Sequence, residues 1–372
     1  MKKLFTFLLA LPIFSFTVAQ IPAGYYNGTE GKTGYILKSK LYEIISSGAV
    51  DLGYGSGTGG LWTTYFTSDV DHYYENNGTL LDMYSENPTG PDAYEYKLGQ
   101  VYAGGNQCSN VDFTVEGACY NREHSLPKSF FGNAAPMAND AHFVIPTDYF
   151  VNQQRSNYPY GETDSPNWTS KNGSKVGGCS FPGYYGTVFE PIDEFKGDFA
   201  RMHFYFVTMY QDKLQNFDRF YPASNPIDGS TDRGFKQWYI NLLLKWANQD
   251  PVSQKEIDRN NAIYARQKNR NPFIDHPEWV NMIWSSTLSN AEVSSLKKTI
   301  SIYPNPVRNG LVHLAGYGLE DLSKVEIYSM DGKLLQTVKQ NFKTSRKIIL
   351  NNLPKGLYIL KTDTQSVKFI IE

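Results

Sequence analysis

Residues 119–127 read Cys-Tyr-Asn-Arg-Glu-His-Ser-Leu-Pro and form the densest run of chemically capable side chains in the sequence. Glu123 and His124 are neighbours, so on a regular β-strand their side chains point to opposite faces. A carboxylate and an imidazole that act on one target therefore need a bend or a strand end, which Pro127 and the turn-rich flanks favour. The pair alone is weak evidence, because a solvated pair or a surface histidine is the commoner meaning of Glu-His.

Three runs downstream add polar side chains to this pair. Residues 139–142 read Asn-Asp-Ala-His, residues 146–148 read Pro-Thr-Asp, and residues 151–157 read Val-Asn-Gln-Gln-Arg-Ser-Asn. Amide and carboxylate oxygens are hard ligands, which suit magnesium or calcium better than zinc. The sequence therefore predicts a hard divalent cation in the neighbourhood of the Glu-His pair.

Two further runs complete an ordered series of motifs: FEPIDEFKGDFAR at residues 189–201 and RNPFIDHPE at residues 270–278. Together these motifs resemble bacterial endonuclease I, a family of secreted or periplasmic nucleases with a ββα-metal active site. The resemblance covers most of residues 20–285. It implies an α+β fold, in which a mixed helical domain contains the ββα-metal nuclease core. It also implies hydrolysis of DNA, and of RNA, to 5′-phosphate ends without sequence specificity.

The resemblance assigns roles to individual residues. His124 is expected to be the general base that takes a proton from the attacking water, and its ordinary pKa near 6.5 leaves it neutral at pH 7 without a large shift. Glu123 and Asn152 are expected to be the protein ligands of one divalent cation. Magnesium is the expected cofactor, with calcium or manganese as alternatives, because magnesium keeps several waters and takes few carboxylates.

Three more residues are assigned less directly. Arg155 belongs to the Arg-Ser-Asn element of the family and is expected either to clamp a phosphate oxygen or to form an internal salt bridge that fixes a helix. Asp140 and His142 are expected to orient the active-site ligands or to have a structural role. After His142 the family often has a polar residue and leucine, whereas this chain has Phe143 and Val144. The departure weakens a direct role for that loop.

Seven short alternating runs follow residue 298, separated by Asn-Gly, Asp-Gly and Lys-Gly turns, and predict a small all-β sandwich. The runs are Ile300–Tyr303, Leu311–Leu314, Lys324–Tyr328, Leu334–Val338, Lys347–Leu350, Leu357–Lys361 and Val367–Ile371.

Four motifs in this region are more specific than the alternation. They are YPNP at residues 303–306, VEIYSMDGK at 325–333, LPKGLY at 353–358 and KFII at 368–371. They resemble the type A C-terminal sorting domain of the type IX secretion system, whose machinery becomes an expected partner. An ordinary carbohydrate-binding sandwich is the alternative.

The N-terminus predicts export. Lys2 and Lys3 precede an apolar run from Leu4 to Val18, and Thr17-Val18-Ala19 supplies a small-residue cleavage pattern, so residues 1–19 are expected to be a signal peptide. We therefore expect a catalytic domain at residues 20–286, a linker at 287–297 and a sorting domain at 298–372. No other run is long enough to span a membrane. A secreted monomer, extracellular or held at the cell surface, is expected.

Cysteine and charge add two constraints. Cys108 and Cys119 are expected to form a disulfide in an oxidising compartment, and Cys179 is then a buried thiol. Residues 297–372 have twelve Lys and Arg against six Asp and Glu, and the signal peptide adds two lysines, so the overall charge of −2 leaves −10 on residues 20–296. A polyanionic substrate must then be held by a local cluster and a cation.

Other polar groups receive structural interpretations. Asp69, Asp71 and Glu75 lack the position-twelve glutamate of a calcium-binding loop and are expected to be solvated charges of a turn. His203 lies in an apolar helical segment and is expected to be a core histidine. Helices are expected at residues 35–45, 193–210, 235–247 and 253–267.

Two other functions stay open beside the non-specific endonuclease. One is a phosphodiesterase restricted to RNA. The other is a catalytically inactive, surface-displayed binding or adhesion protein, against which the intact Glu123, His124 and Asn152 argue.

Overall fold

A computed structural model describes most of the chain. The described residues are 21–56, 58–109, 113–285, 300–316, 319, 322–342, 345–362 and 365–372. The predicted signal peptide and the predicted linker at 287–297 lie outside the described residues.

The described part of residues 34–284 contains eight α-helices. They are α1 (Gly34–Ser46), α2 (Gly60–Ser68), α3 (Tyr149–Arg155), α4 (Lys196–Met209), α5 (Gln237–Gln249), α6 (Gln254–Gln267), α7 (Pro272–Asp275) and α8 (Glu278–Trp284).

The four helices predicted from periodicity are present as α1, α4, α5 and α6. In α1, Leu37, Leu41 and Ile45 lie on one face and are fully buried, as the helical spacing predicts. At the start of α6, Ser253 and Glu256 form a capping box, in which each side chain accepts a hydrogen bond from the other residue's backbone N–H.

Two antiparallel sheets accompany these helices. The first pairs β1 (Tyr120–His124) with β2 (Val144–Asp148), and the second has the order β3 (Pro166–Thr169), β4 (Lys175–Gly178), β5 (Thr187–Glu190). Pro146 lies within β2, where it is tolerated because both strands of a two-stranded sheet are edges.

Helix α4 lies at the centre of this region. Every residue from Lys196 to Thr208 is buried, and α1, α5 and α7 pack around it. His203 belongs to this helix and is fully buried, as predicted, and its Nδ1 is hydrogen-bonded to the Tyr239 hydroxyl at 2.8 Å. Burial lowers the pKa of His203 to about 3, so the ring is neutral.

The C-terminal region contains all seven predicted strands. They are β6 (Ile300–Tyr303), β7 (Leu311–Gly316), β8 (Lys324–Ser329), β9 (Leu334–Lys339), β10 (Lys347–Ile349), β11 (Gly356–Lys361) and β12 (Ser366–Ile371). They form two antiparallel sheets, ordered β10-β7-β6 and β12-β11-β8-β9, which share one apolar core. In β8, Val325 and Ile327 are buried while their neighbours are more exposed, as strand alternation predicts.

The cysteines follow the prediction in part. Cys108 and Cys119 form the expected disulfide, which attaches the preceding loop to the start of β1. Cys179 is a free thiol that is partly, not fully, buried, and burial raises its pKa. Within the described helices, none is both long enough and apolar enough to cross a bilayer.

Candidate active site

The site is built on the β1–β2–α3 unit. Glu123 pairs with Ile145 and His124 with Val144, and α3 follows β2 without a loop. Asp148 caps α3, since its side chain accepts a hydrogen bond of 2.7 Å from the Val151 backbone N–H. This strand-strand-helix unit brings residues of α3 beside β1, although about thirty positions separate them in the sequence.

Glu123 is a buried carboxylate, with 2% of its surface exposed. Arg155 Nη1 lies 2.6 Å from Glu123 Oε1, and the Tyr84 hydroxyl donates to the same oxygen over 3.1 Å. Burial raises the pKa of Glu123 to about 7, while the positive charge of Arg155 acts in the opposite direction. Both contacts use Oε1, so Oε2 is the oxygen that can serve a cation.

Asn152 has a fixed amide orientation. Its Nδ2 donates to Asn121 Oδ1 over 2.9 Å and to the Arg122 carbonyl over 3.3 Å, which leaves the Asn152 Oδ1 as an acceptor. Asn121 and Glu123 are two residues apart on β1 and share a face. Asn152 and Arg155 are three apart on α3 and face that same side of the strand. The structure thus brings Glu123 and Asn152 to one strand–helix interface.

His124 is the last residue of β1 and faces the other side of the strand. Its Nε2 lies 3.1 Å from the Ala138 carbonyl, and since a carbonyl can only accept, Nε2 carries the proton and Nδ1 presents a lone pair. The ring stacks near Tyr54, with centroids 6.0 Å apart and an interplanar angle of 20°. Burial lowers its pKa to about 3, a larger shift than predicted, and the ring is neutral at pH 7.

Glu123 and His124 therefore contact different partners. Glu123 packs against α3 and Tyr84, whereas His124 packs against Tyr54 and the segment that contains Ala138. The predicted strand end is present, because β1 stops at His124. Glu123 and His124 can therefore act on one substrate only if it lies at this end of β1.

Arg155 is 1% exposed and its guanidinium is engaged on several sides. Besides Glu123, Nη1 donates to the His124 carbonyl over 2.8 Å, and Nη2 donates to the Ser125 carbonyl. This placement favours the internal salt bridge over the phosphate clamp, since a buried and occupied guanidinium has little capacity for a phosphate oxygen. Arg155 holds both the Glu123 carboxylate and the end of β1.

Asp140 and His142 lie in a neighbouring buried network. Asp140 accepts hydrogen bonds from the hydroxyls of Tyr205 and Tyr210 and from the Gln267 side chain, at 2.7–2.9 Å. His142 Nε2 lies 3.1 Å from the Asn269 carbonyl, and burial lowers the His142 pKa to about 4. Asp140 caps the 3₁₀ turn Met137–Asn139, which supplies the carbonyl that orients His124. Both side chains are thus engaged within the protein, and an orienting or structural role stays a prediction.

Sequence analysis does not identify three groups that the structure adds to the site: Tyr54, Tyr84 and the Ala138 carbonyl. The sequence has 27 tyrosines, so residue type gives no signal for two of them. A backbone carbonyl has no sequence signature at all. Tyr54 and Tyr84 lie in loops and Ala138 in the 3₁₀ turn Met137–Asn139, and only the tertiary fold brings these segments to β1.

One interpretation from the sequence is wrong. Asp69 and Asp71 are each 1% exposed, not solvated. Asp69 forms an ion pair of 2.8 Å with Arg259, and Asp71 accepts backbone hydrogen bonds from Tyr73, Tyr74 and Asn76. The turn itself is present, but its charges are used inside the protein.

Comparison with known proteins assigns this architecture to a class. Residues 33–278 match the family model of Endonuclease I, and residues 301–372 match that of the secretion system C-terminal sorting domain. The class is therefore that of the nucleases, which hydrolyse phosphodiester bonds. The chain belongs to the endonuclease I family, and it is a secreted nuclease with a type IX sorting domain.

Two curated relatives are equally similar to this chain in sequence. The extracellular ribonuclease of Bacillus subtilis is 34% identical over 270 residues, an alignment that covers 70% of this chain and 78% of that protein. The extracellular ribonuclease of Bacillus amyloliquefaciens is 34% identical over 273 residues, with the same coverage.

Proposed function

We propose that this secreted nuclease is a non-specific endonuclease that cleaves DNA and RNA to 5′-phosphate ends. His124 acts as the general base, and Glu123 and Asn152 hold one divalent cation. The observation that carries the proposal is the Ala138 carbonyl on His124 Nε2, because it leaves Nδ1 as a proton acceptor at the end of the strand that contains Glu123. RNA as a substrate is supported by the names of the two relatives.

The donor set fits a hard cation. Glu123 Oε2 and Asn152 Oδ1 are oxygen donors on one interface, and a carboxylate whose pKa burial raises to about 7 is stabilised by a second positive charge. Magnesium is the proposed ion, with calcium and manganese as alternatives. When bound, a divalent cation stabilises the negative charge that develops on the phosphate during hydrolysis.

The residues of the chain perform the proton transfer. His124 Nδ1 accepts a proton from water as the water oxygen attacks phosphorus, the bond from phosphorus to the 3′ oxygen breaks, and a solvent water protonates the departing oxygen to a 3′ hydroxyl. The low pKa of the His124 ring in the substrate-free protein limits its basicity. A phosphate anion beside the ring raises that pKa and stabilises the imidazolium. Arg155 and Tyr84 are positioning residues, because both hold Glu123 and neither needs to contact the substrate.

The proposal includes the organisation of the whole chain. We propose a signal peptide at residues 1–19, a catalytic domain at 20–286, a linker at 287–297 and a sorting domain at 298–372. The mature enzyme works as a monomer outside the cell. Recognition of phosphate and not of base edges explains the lack of sequence specificity.

An assay on three substrates tests the proposal. Purified full-length protein is depleted of cations with EDTA and incubated with supercoiled plasmid, single-stranded DNA and RNA, before and after addition of magnesium, calcium or manganese. We expect cleavage of all three substrates only with a cation, and products that require phosphatase treatment before 5′ labelling. Cleavage of RNA alone would favour the RNA-restricted phosphodiesterase, and no cleavage under any condition would favour the binding protein.

A further inference from the structure

Three carboxylates meet at a place that the proposed mechanism does not use. One ligand oxygen from each of Glu75, Glu86 and Asp92 lies within 4.8 Å of the other two. Glu86 is 1% exposed, and the other two are partly buried. Three negative charges this close repel one another, so the arrangement needs either protons or a cation.

Glu86 supplies an independent observation. Its Oε1 is buried and has no hydrogen-bond partner. Within the described part of the chain, no lysine or arginine forms an ion pair with any of the three carboxylates. Burial, followed by the charges of Asp92 and Glu75, raises the pKa of Glu86 to about 9. A buried, unpaired carboxylate oxygen of this kind costs free energy unless something positive binds it.

The loop backbone already positions the other two side chains. Asp92 Oδ1 accepts a hydrogen bond of 2.6 Å from the Asn87 backbone N–H, and Glu75 Oε1 accepts one of 3.2 Å from the Asp92 N–H. Each of these side chains keeps a second carboxylate oxygen. Backbone N–H groups thus hold the carboxylates of Glu75 and Asp92 in place.

We propose that Glu75, Glu86 and Asp92 bind a structural calcium ion. Calcium takes six to eight oxygen ligands in flexible geometry, which three carboxylates supply together with backbone oxygens and water. Magnesium requires stricter octahedral geometry and prefers fewer carboxylates. The site is separate from Glu123 and Asn152, since it uses none of the ligands proposed for the catalytic cation.

The proposed calcium ion stabilises a segment that reaches the active site. Residues 82–86 contain both Glu86 and Tyr84, whose hydroxyl donates to Glu123. In the same segment, Asp82 accepts a hydrogen bond of 2.8 Å from the Asp148 backbone N–H at the start of α3. Calcium at Glu86 therefore holds the segment that positions Tyr84.

Thermal unfolding of the full chain tests the site. All six tryptophans precede residue 300, so tryptophan fluorescence reports the catalytic region alone. All proteins in this experiment contain the substitution Glu123→Gln, which weakens cation binding at the proposed catalytic site, and the protein with this substitution alone is called the parent. For a Kd of about 10⁻⁴ M, about 10 mM calcium is a hundredfold excess and should raise Tm by about 5–10 °C relative to EDTA. Equal magnesium should raise it less.

Variants in the same parent distinguish this site from general ion effects. Glu86→Gln should leave Tm in EDTA at pH 7 about unchanged, because a Glu86 pKa raised to about 9 leaves the carboxyl protonated without a cation, and it should lose the calcium shift. Glu43→Gln, at an exposed residue of α1, should keep the shift. If Glu86→Gln does not fold, Asp92→Asn takes its place. No calcium shift in the parent, an unchanged shift in the Glu86→Gln protein, or an equal magnesium shift would overturn the proposal.

Discussion

The catalytic region and the C-terminal sandwich have cores of different chemistry. The core before residue 285 contains buried ion pairs, among them Glu123–Arg155, Asp69–Arg259 and Glu256–Arg201. Among the described residues from 300 onward, aside from tyrosines, Thr362 at 5% exposure is the one buried polar residue. A buried ion pair is a weak source of stability, but removal of one partner is costly. The buried ion pairs of the catalytic region thus add little stability, but they hold polar groups in place, as a catalytic site requires.

The sandwich gains its stability in a simpler way. Its core contains inward-facing residues of six of the seven strands, with Val338 of β9 partly buried against them, and its charged residues stay at the surface. The two regions also have opposite formal charge, −10 for residues 20–296 and +6 for residues 297–372. This contrast predicts that substitutions of single polar residues damage the first region, whereas the second is dispensable for chemistry.

The largest effect is expected for His124→Ala. The substitution removes the proton acceptor and leaves the proposed ligands Glu123 and Asn152 in place, so the rate should fall by about 10²–10⁴-fold while the cation still binds. Single-turnover cleavage of a DNA duplex at saturating magnesium measures the rate. Near wild-type cleavage by a folded His124→Ala protein would remove His124 from the mechanism.

Arg155→Met should have a smaller effect on activity than His124→Ala, because Arg155 acts only by positioning Glu123. Loss of a buried partner costs roughly 3–5 kcal/mol of stability, and loss of an orienting contact raises the half-saturating magnesium concentration by about 10–100-fold. Arg201→Met is the matched control, because Arg201 is equally buried and pairs with Glu256. The control should lose stability without any change in magnesium dependence. Equal magnesium dependence of the two variants would contradict the positioning role.

The pH dependence of stability provides a third comparison. Burial lowers the pKa of His203 from 6.5 to about 3. The contribution of the neutral His203 ring to the free energy of unfolding is therefore fully present above pH 6.5 and is lost as pH falls toward 3. His203→Phe should be less stable than wild type at pH 7.5, because the buried Tyr239 hydroxyl loses its hydrogen-bond partner. At pH 5 the difference in unfolding free energy should be smaller by about 2 kcal/mol. A difference independent of pH in denaturant titrations would refute the neutral buried ring.

The smallest catalytic effect is expected for deletion of residues 298–372. Hydrolysis by the purified protein should stay within about twofold of wild type, because the proposed chemistry uses none of the C-terminal residues. In a host with a type IX secretion system, the same deletion should retain the enzyme in the periplasm. Normal release into the medium would contradict the sorting role, and loss of activity would contradict the contrast between the regions.

The sequence predicts the sandwich better than the catalytic region for a physical reason. The strands from Ile300 to Ile371 are local patterns, in which alternation and turn residues act within a few positions. Periodicity does not show helix α3, because its seven residues are too few for a helical period to be visible, and a helix at Arg155 is expected from the family resemblance alone. Its position beside β1 follows from the fold alone.

Prediction of the candidate site from the sequence is limited in the same way. Glu123, His124 and Asn152 are identifiable from motifs, and the structure brings Glu123 and Asn152 to one interface. The burial of Asp69 was not predictable, because its partner Arg259 lies 190 positions later in the sequence. The large shift in the His124 pKa has the same origin, since desolvation depends on residues that pack from distant segments.

Magnesium titration of the activity tests the central claim most directly. Wild type, Glu123→Gln and Glu162→Gln are compared on supercoiled plasmid, where Glu162 is a control carboxylate paired with Lys245. Removal of one of two protein ligands should raise the half-saturating magnesium concentration at least about tenfold in the Glu123→Gln protein. The Glu162→Gln protein should match wild type. A Glu123→Gln enzyme with the wild-type magnesium dependence would contradict the assignment of Glu123 as a cation ligand.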